Sequence, residues 1–158
     1  MTDATVKCRE CGEAATLGAL DDLNGTAGDV TVTIHHMPAR VCPQDHRRLA
    51  YPEFAARLMD YLADPDKVGM PTAQKKGWFR RRAYCGGCHH ELDGEADVRT
   101  VSMGVHLDPD ADFEVDFRLP VCTCPHCGLE QTTDAKLYDS HVPLAVVQAL
   151  RAGHVSPE

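Results

Sequence analysis

Apolar and polar residues alternate along residues 98–121. Val101, Met103, Val105 and Leu107 point to one side, with Thr100, Ser102, Gly104 and His106 between them. Phe113, Val115, Phe117, Leu119 and Val121 repeat the alternation against Glu114, Asp116, Arg118 and Pro120. A period of two with one apolar face predicts two half-buried strands paired as a hairpin. The joining segment DPDAD, residues 108–112, begins like a calcium loop. Phe113 and Leu119 stand where that loop needs its turn glycine and its bidentate glutamate, so an acidic solvated turn is expected. Val30, Val32 and Ile34 alternate with Thr31, Thr33 and His35, after a turn expected within LNGTAGD, residues 23–29. Leu17, Leu20 and Leu23 are expected in a small core.

A helical period follows each strand region. In YPEFAARLMDYLADP, Phe54, Leu58, Tyr61 and Leu62 share a face and Pro52 suits a first helical turn. In HVPLAVVQALRAGH, Leu144, Val147 and Leu150 form the stripe, and Gly153 is the expected stop. Knuckle, strands, knuckle and helix thus occur twice, which reads as a divergent internal duplication.

The 158 residues fit one domain or two small ones. The pattern divides them into 1–63, a linker 64–83, and 84–158. Units of about 70 residues usually need a staple such as a metal. A net charge of −8 argues against nucleic-acid binding by the surface as a whole. The opening MTDATVKCRE lacks a signal-peptide pattern, and no apolar run reaches the length of a membrane span. A cytoplasmic location and no membrane partner are the expectations. In a reducing compartment eight cysteines are metal ligands or thiols rather than disulfides.

The cysteines are spaced as clamps. Cys85-x-x-Cys88 and Cys124-x-x-Cys127 offer four thiolates, a tetrahedral set suited to zinc. A glycine after the second cysteine, as in CPHCG, permits a positive φ there. Cys8-x-x-Cys11-Gly and VCPQDH repeat the plan, with Cys42 in the place of Cys124 and Asp45 in the register of Cys127. His46 is favoured over Asp45 as fourth ligand, because Cys3His is a standard zinc set and a hard carboxylate suits thiolate-rich zinc less well. Two zinc ions per chain follow. Cys122 is left over, as a strand-end packing residue or a thiol near the metal, with nothing to make it a nucleophile. His35 and His36 read as a strand face and its edge.

The stretch CGGCHH also carries the C-x-x-C-H of c-type haem and the C-x-x-C of a dithiol redox site. Haem attachment usually follows export, and a thioredoxin-like motif belongs between a strand and a helix. Here the motif precedes a polar turn and then strands, and it has a matching knuckle downstream. Iron in a rubredoxin-type centre uses the same four thiolates and stays open beside zinc.

Two thiolate knuckles joined by a hairpin resemble a zinc ribbon of the rubredoxin-like group. The resemblance implies a small, metal-stabilised α+β fold with two zinc-ribbon β-modules, each followed by a helix. MPARVCPQDH, residues 37–46, and the helix after it also resemble the bacterial YgiT-type zinc finger of antitoxins, over the first third of the chain. The missing fourth cysteine departs from that family. No helix-turn-helix pattern accompanies it, so DNA binding of the antitoxin kind is not implied.

Residues 64–84 are rich in proline, glycine and polar side chains and end in KKGWFRRR. Lys75, Lys76, Arg80, Arg81 and Arg82 surround the only tryptophan, Trp78. Cations interleaved with aromatics can hold phosphates and stack on bases. The favoured alternative is that Trp78 and Phe79 pin the linker to a domain while the arginines pair with the acidic surface. No Ser/His/Asp set, phosphate-binding glycine loop or H-E-x-x-H is found. A protein-interaction or regulatory module with structural zinc, contacting an unknown protein partner or nucleic acid, ranks above a metal-dependent enzyme. An enzyme would need an open metal position at the first site with His46 as base, and three thiolates make a poor Lewis acid.

Overall fold

A computed structural model describes residues 5–107 and 111–157. It is a small mixed α+β fold, mostly strands. In chain order the strands are β1 Val6–Lys7, β2 Ala14–Ala19, β3 Leu23–Ala27, β4 Val30–His35, β5 Pro38–Val41 and β6 Arg47–Leu49. Helices α1 Phe54–Leu62 and α2 Pro65–Val68 follow, then β7 Gln74–Lys76 and β8 Arg82–Tyr84. The long pair β9 Asp97–Leu107 and β10 Ala111–Thr123 comes next, then β11 Glu130–Gln131. A π-helical turn, Leu137–His141, leads into α3 Val142–Ala152 and β12 Val155–Ser156.

The predicted alternation sets the main sheet. Val30, Val32, Ile34, Val105, Val115 and Phe117 are all but fully buried. β10 pairs antiparallel with β9 on one edge and with β4 on the other, Phe117 opposite both Val101 and Val32. The calcium-like segment falls partly on residues 108–110, which lie outside the described residues. A second sheet runs β1-β2-β5-β6-β12, with β12 parallel to β6. One apolar cluster covers the main sheet, joining Leu23, Val32 and Ile34 to Phe113, Val115 and Val146. Residues 30–35 and 111–123 therefore share a sheet and a core. None of the cysteines belongs to that cluster; Cys8 and Cys42 pack with Ala15 in a separate one.

Expectations for three regions of the chain are corrected. First, the turn expected over residues 23–29 is mostly strand: Leu23 pairs with Ile34 and Ala27 with Val30, leaving Gly28 and Asp29 to turn the chain. Gly28 has φ +57°, so the turn needs its freedom. Leu17 is 47% exposed rather than core, while Leu20 and Leu23 are buried.

Second, α3 buries only part of the expected stripe. Leu150 is buried, but Val147 is half-buried and Leu144 half exposed, and the rest of the inward face is Val142, Ala145, Val146 and Ala149. The cause is the close approach of α3 to β3. A Cβ on Gly25 would lie 1.9 Å from the Ala145 carbonyl oxygen and 2.4 Å from the Ala149 nitrogen. Small residues on both sides are what let helix and strand touch. α1 buries Phe54, Leu58 and Leu62 as expected, with Phe54 stacked on Phe113 at 6.0 Å, while the Tyr61 hydroxyl reaches out to the Gly104 carbonyl.

Third, Trp78 and Phe79 pin nothing. They are 91% and 93% exposed, at the tip of the β7–β8 hairpin. Val68, Met70 and Ala73 hold this stretch to the body instead. Of the arginines, Arg82 does pair with an acid, 3.0 Å from Glu91.

Candidate metal centres

Each C-x-x-C is held by a tight backbone loop at the end of a strand. The Cys8 amide donates to the Glu13 carbonyl and the Gly12 amide returns to the Cys8 carbonyl. Cys85 with His90 and His89, and Cys124 with Leu129 and Gly128, make the same two bonds at the same offsets. Each loop needs a positive φ at its fifth residue: Gly12 at +76°, Gly128 at +77° and His89 at +64°. Histidine thus occupies a glycine slot in CGGCHH. That geometry, not a haem ligand, is the place of His89.

The fourth loop is one residue tighter. Cys42 receives Asp45 N–H and donates to the His46 carbonyl, and the positive φ falls on Asp45 at +61°. The side chain that faces the thiols is therefore one residue on, His46. Asp45 turns outward, and its two carboxylate oxygens accept from Arg47 Nε at 3.0 Å and Nη2 at 3.1 Å. This pairing lowers the Asp45 pKa.

Two groups of ligand atoms result. Cys8, Cys11, Cys42 and His46 bring theirs within 4.8 Å of one another, as do Cys85, Cys88, Cys124 and Cys127. In the first, Cys11 Sγ is 3.6 Å from Cys42 Sγ, and His46 Nδ1 is 3.4 Å from Cys42 Sγ and 3.6 Å from Cys8 Sγ. In the second, Cys85 to Cys127 and Cys88 to Cys124 are both 3.5 Å. A disulfide would need about 2.05 Å. A tetrahedron with metal–sulfur bonds of about 2.3 Å has sulfur–sulfur edges of roughly 3.8 Å. The spacing is that of thiolates converging on a shared centre, and haem attachment, which needs two sulfurs spread along a porphyrin edge, does not fit it.

The charge balance of these groups points the same way. Backbone N–H groups of Cys11 and Glu10 hold the Cys8 thiol down to about 6. The Gln131 amide, aided by the Cys88 N–H, holds Cys85 down to about 5. At Cys88 the His90 N–H also pulls downward, but desolvation and the crowding sulfurs of Cys124, Cys127 and Cys85 outweigh it and push the thiol up to about 12. Four thiolates cannot share so small a volume unless a cation neutralises them. A divalent metal that prefers sulfur would supply that charge.

Outer contacts fix the ligands. Gln131, fully buried, donates from Nε2 to Cys85 Sγ at 3.3 Å and accepts the Gly86 N–H at 2.9 Å. His90 Nδ1 lies 3.3 Å from Cys88 Sγ, and its ring stacks on His126 at 3.8 Å. Glu10 stands 3.4 Å from His46 Nε2, the nitrogen turned away from the thiols. Sequence reasoning missed Gln131. Its one signal is a polar residue in a short strand just past CPHCG, which spacing alone does not single out. Cys122 is buried at the end of β10 and 3.8 Å from the Gly94 carbonyl, with its thiol pushed up by desolvation and by Asp97. It belongs to neither group.

His35 and His36 take no part in either group, in line with a strand face and its edge. His35 is clasped instead by Asp22 at Nδ1 and Asp116 at Nε2, both at 2.9 Å. Lys75, Lys76, Arg80, Arg81 and Arg82 are exposed with Trp78 on the β7–β8 hairpin and belong to neither group. No helix among the described residues is long and apolar enough to cross a membrane. Comparison with protein-family models, curated proteins and solved structures gives no match, so no family is shown for this chain, the YgiT-type zinc finger included.

Proposed function

We propose that the chain is a binding protein carrying two structural zinc ions, one held by Cys8, Cys11, Cys42 and His46 and one by Cys85, Cys88, Cys124 and Cys127. The observation that carries this is the pair of convergent four-ligand groups at tetrahedral spacing. Each has all four positions taken by protein atoms, which favours a structural role over a catalytic one. Sulfur-rich, tetrahedral sets select zinc or iron, and zinc is preferred because nothing in the fold points to an electron-transfer partner. Each half runs strand, knuckle, strands, knuckle and strand, with four strands between the knuckles in the first half and two in the second, and this shared order supports a divergent duplication. Structural zinc binding is worth on the order of 10 kcal/mol. Here it would act on the knuckles and on what they carry, since the apolar core lies apart from the cysteines.

What the second site carries is the β7–β8 hairpin. β8 runs directly into Cys85, and Tyr84 bridges to Glu91 on its other side. At the foot of the other strand, just before β7, the Ala73 N–H donates to the Thr132 carbonyl, beside Gln131. Both feet of the hairpin therefore stand on site 2. A two-stranded hairpin is marginal by itself, so this mount is what would hold it out from the body as a contact element.

The deciding experiment is elemental analysis by mass spectrometry of protein purified without chelator, with an absorption spectrum of the same sample. Two zinc per chain and no visible bands are expected. Ferric–thiolate or haem bands would overturn zinc, and a metal-free, fully folded protein would overturn the structural reading altogether.

A further inference from the structure

We infer that the tip of the β7–β8 hairpin is a contact site for single-stranded nucleic acid, with Trp78 and Phe79 as stacking platforms and the flanking lysines and arginines as phosphate partners. This deepens the reading of site 2 as the mount of that hairpin.

Two large aromatics more than nine-tenths exposed are costly to keep in water and mark a contact surface. They sit in the five-residue turn 77–81, where Gly77 at φ +121° makes the bend. A Cβ at Gly77 would come within 2.5 Å of the Arg80 carbonyl oxygen, so the turn is tightly closed and presents its side chains outward. Arg80 and Arg81 share the turn with the aromatics, and Lys75, Lys76 and Arg82 follow on the strands, all exposed. Lys76 lies over the Tyr84 ring at 5.5 Å and Arg82 is tied to Glu91, so both cations are held near the strand stems.

The charge distribution selects the partner. The chain as a whole is at −8, whereas residues 74–84 carry five of its 16 lysines and arginines and no acidic residue, so the projection is a local basic patch on an acidic protein. A bilayer or a duplex presents phosphates over a broad surface and would bring them within a Debye length, about 8 Å in physiological salt, of the acidic body. A single strand can bend so that only a few nucleotides meet the tip. Its unstacked bases also offer the faces that Trp78 and Phe79 need, whereas a duplex keeps its bases stacked. Guanidinium groups within the turn itself suit phosphates beside stacked bases better than insertion into hydrocarbon.

Because Trp78 is the only tryptophan, its fluorescence reports on the tip directly. The test titrates the full, metal-loaded chain with a 15-nucleotide oligothymidylate at low salt, following tryptophan quenching, and with its fluorescein-labelled form for anisotropy. Parallel arms use a duplex of equal length and vesicles of phosphatidylglycerol and phosphatidylcholine. Quenching by the single strand is expected, weakening as salt rises. Trp78→Ala and the double variant Arg80→Gln/Arg81→Gln should each weaken binding by about tenfold or more. Metal content, measured on every sample, should stay unchanged, which keeps this test separate from that of the zinc sites. No anisotropy change at low salt, undiminished binding in both variants, tighter binding to the duplex, or a blue shift with vesicles alone would overturn the inference.

Discussion

Gln131 Nε2 donates to Cys85 Sγ at 3.3 Å while its Oε1 takes the Gly86 N–H at 2.9 Å, so a single buried amide fixes both the sulfur and the backbone of one knuckle. Gln131→Leu keeps the volume and removes both bonds. Loss of such an outer partner commonly costs 10- to 100-fold in metal affinity. The expected result is a drop of that size at site 2 alone, with site 1 unchanged, read by competition with a chromophoric chelator. Equal affinity at both sites in the variant would show that the amide does not tune the metal.

The one-residue shift in the fourth knuckle separates His46 from Asp45. His46→Ala should reduce the metal content from two ions to one. Asp45→Asn should keep both, because asparagine tolerates the positive φ and only an exposed pairing with Arg47 is lost. Its thermal stability should be close to that of the wild type, because an exposed ion pair contributes little. Elemental analysis and thermal unfolding check the pair, and a reversed pattern would make Asp45 the ligand.

The separation of the two residues shows what the sequence could and could not convey. The two convergent groups of four side chains were legible because cysteine knuckles leave a rigid spacing and the glycines after Cys11 and Cys127 mark where φ turns positive. His89 hid the same turn behind a side chain, which made CGGCHH resemble a haem motif. The long strands were legible because alternation encodes one buried face. The full inward face of α3 was not, because its packing is set by Gly25 on β3. Hydrophobicity pointed to Leu144, whereas backbone contact required Ala145 and Ala149. Gln131 was invisible for a related reason: its partner lies 46 residues away.

That α3 contact is itself testable. Gly25→Ala places a methyl against helix backbone that no rotamer can move. Overpacking of this kind typically costs about 1–3 kcal/mol, and the upper end or beyond is expected here because backbone must shift. Chemical denaturation should show it. Gly18→Ala, with open space around it, is the control and should lie within about 1 kcal/mol of wild type.

The His35 clasp predicts a pH dependence. Asp116 and then Asp22 raise the His35 pKa above its ordinary value of about 6.5. A raised histidine contributes stability fully below that value and loses it as pH climbs through the raised one. The Ser102 hydroxyl and then His35 lower the Asp116 pKa. Its contribution is present above the ordinary carboxylate value and fades as pH falls through the lowered one. The clasp is therefore strongest in mildly acidic solution. Denaturation of wild type and His35→Gln at pH 5.5, 7 and 8.5 should show a gap that narrows as pH rises. A gap independent of pH would mean that His35 acts by packing alone.

The pairing of β4 with β10 has a consequence for the life of the chain before it is complete. The first part of the protein, as it leaves the ribosome, carries β4 with one edge satisfied by β3 and the other open until residues 114–118 arrive. An open edge on an apolar strand is a template for pairing with a second copy. Truncated products ending within residues 64–110 should therefore self-associate, and synthesis of the intact protein passes through a stage in which its own unfinished sheet is most in need of shielding.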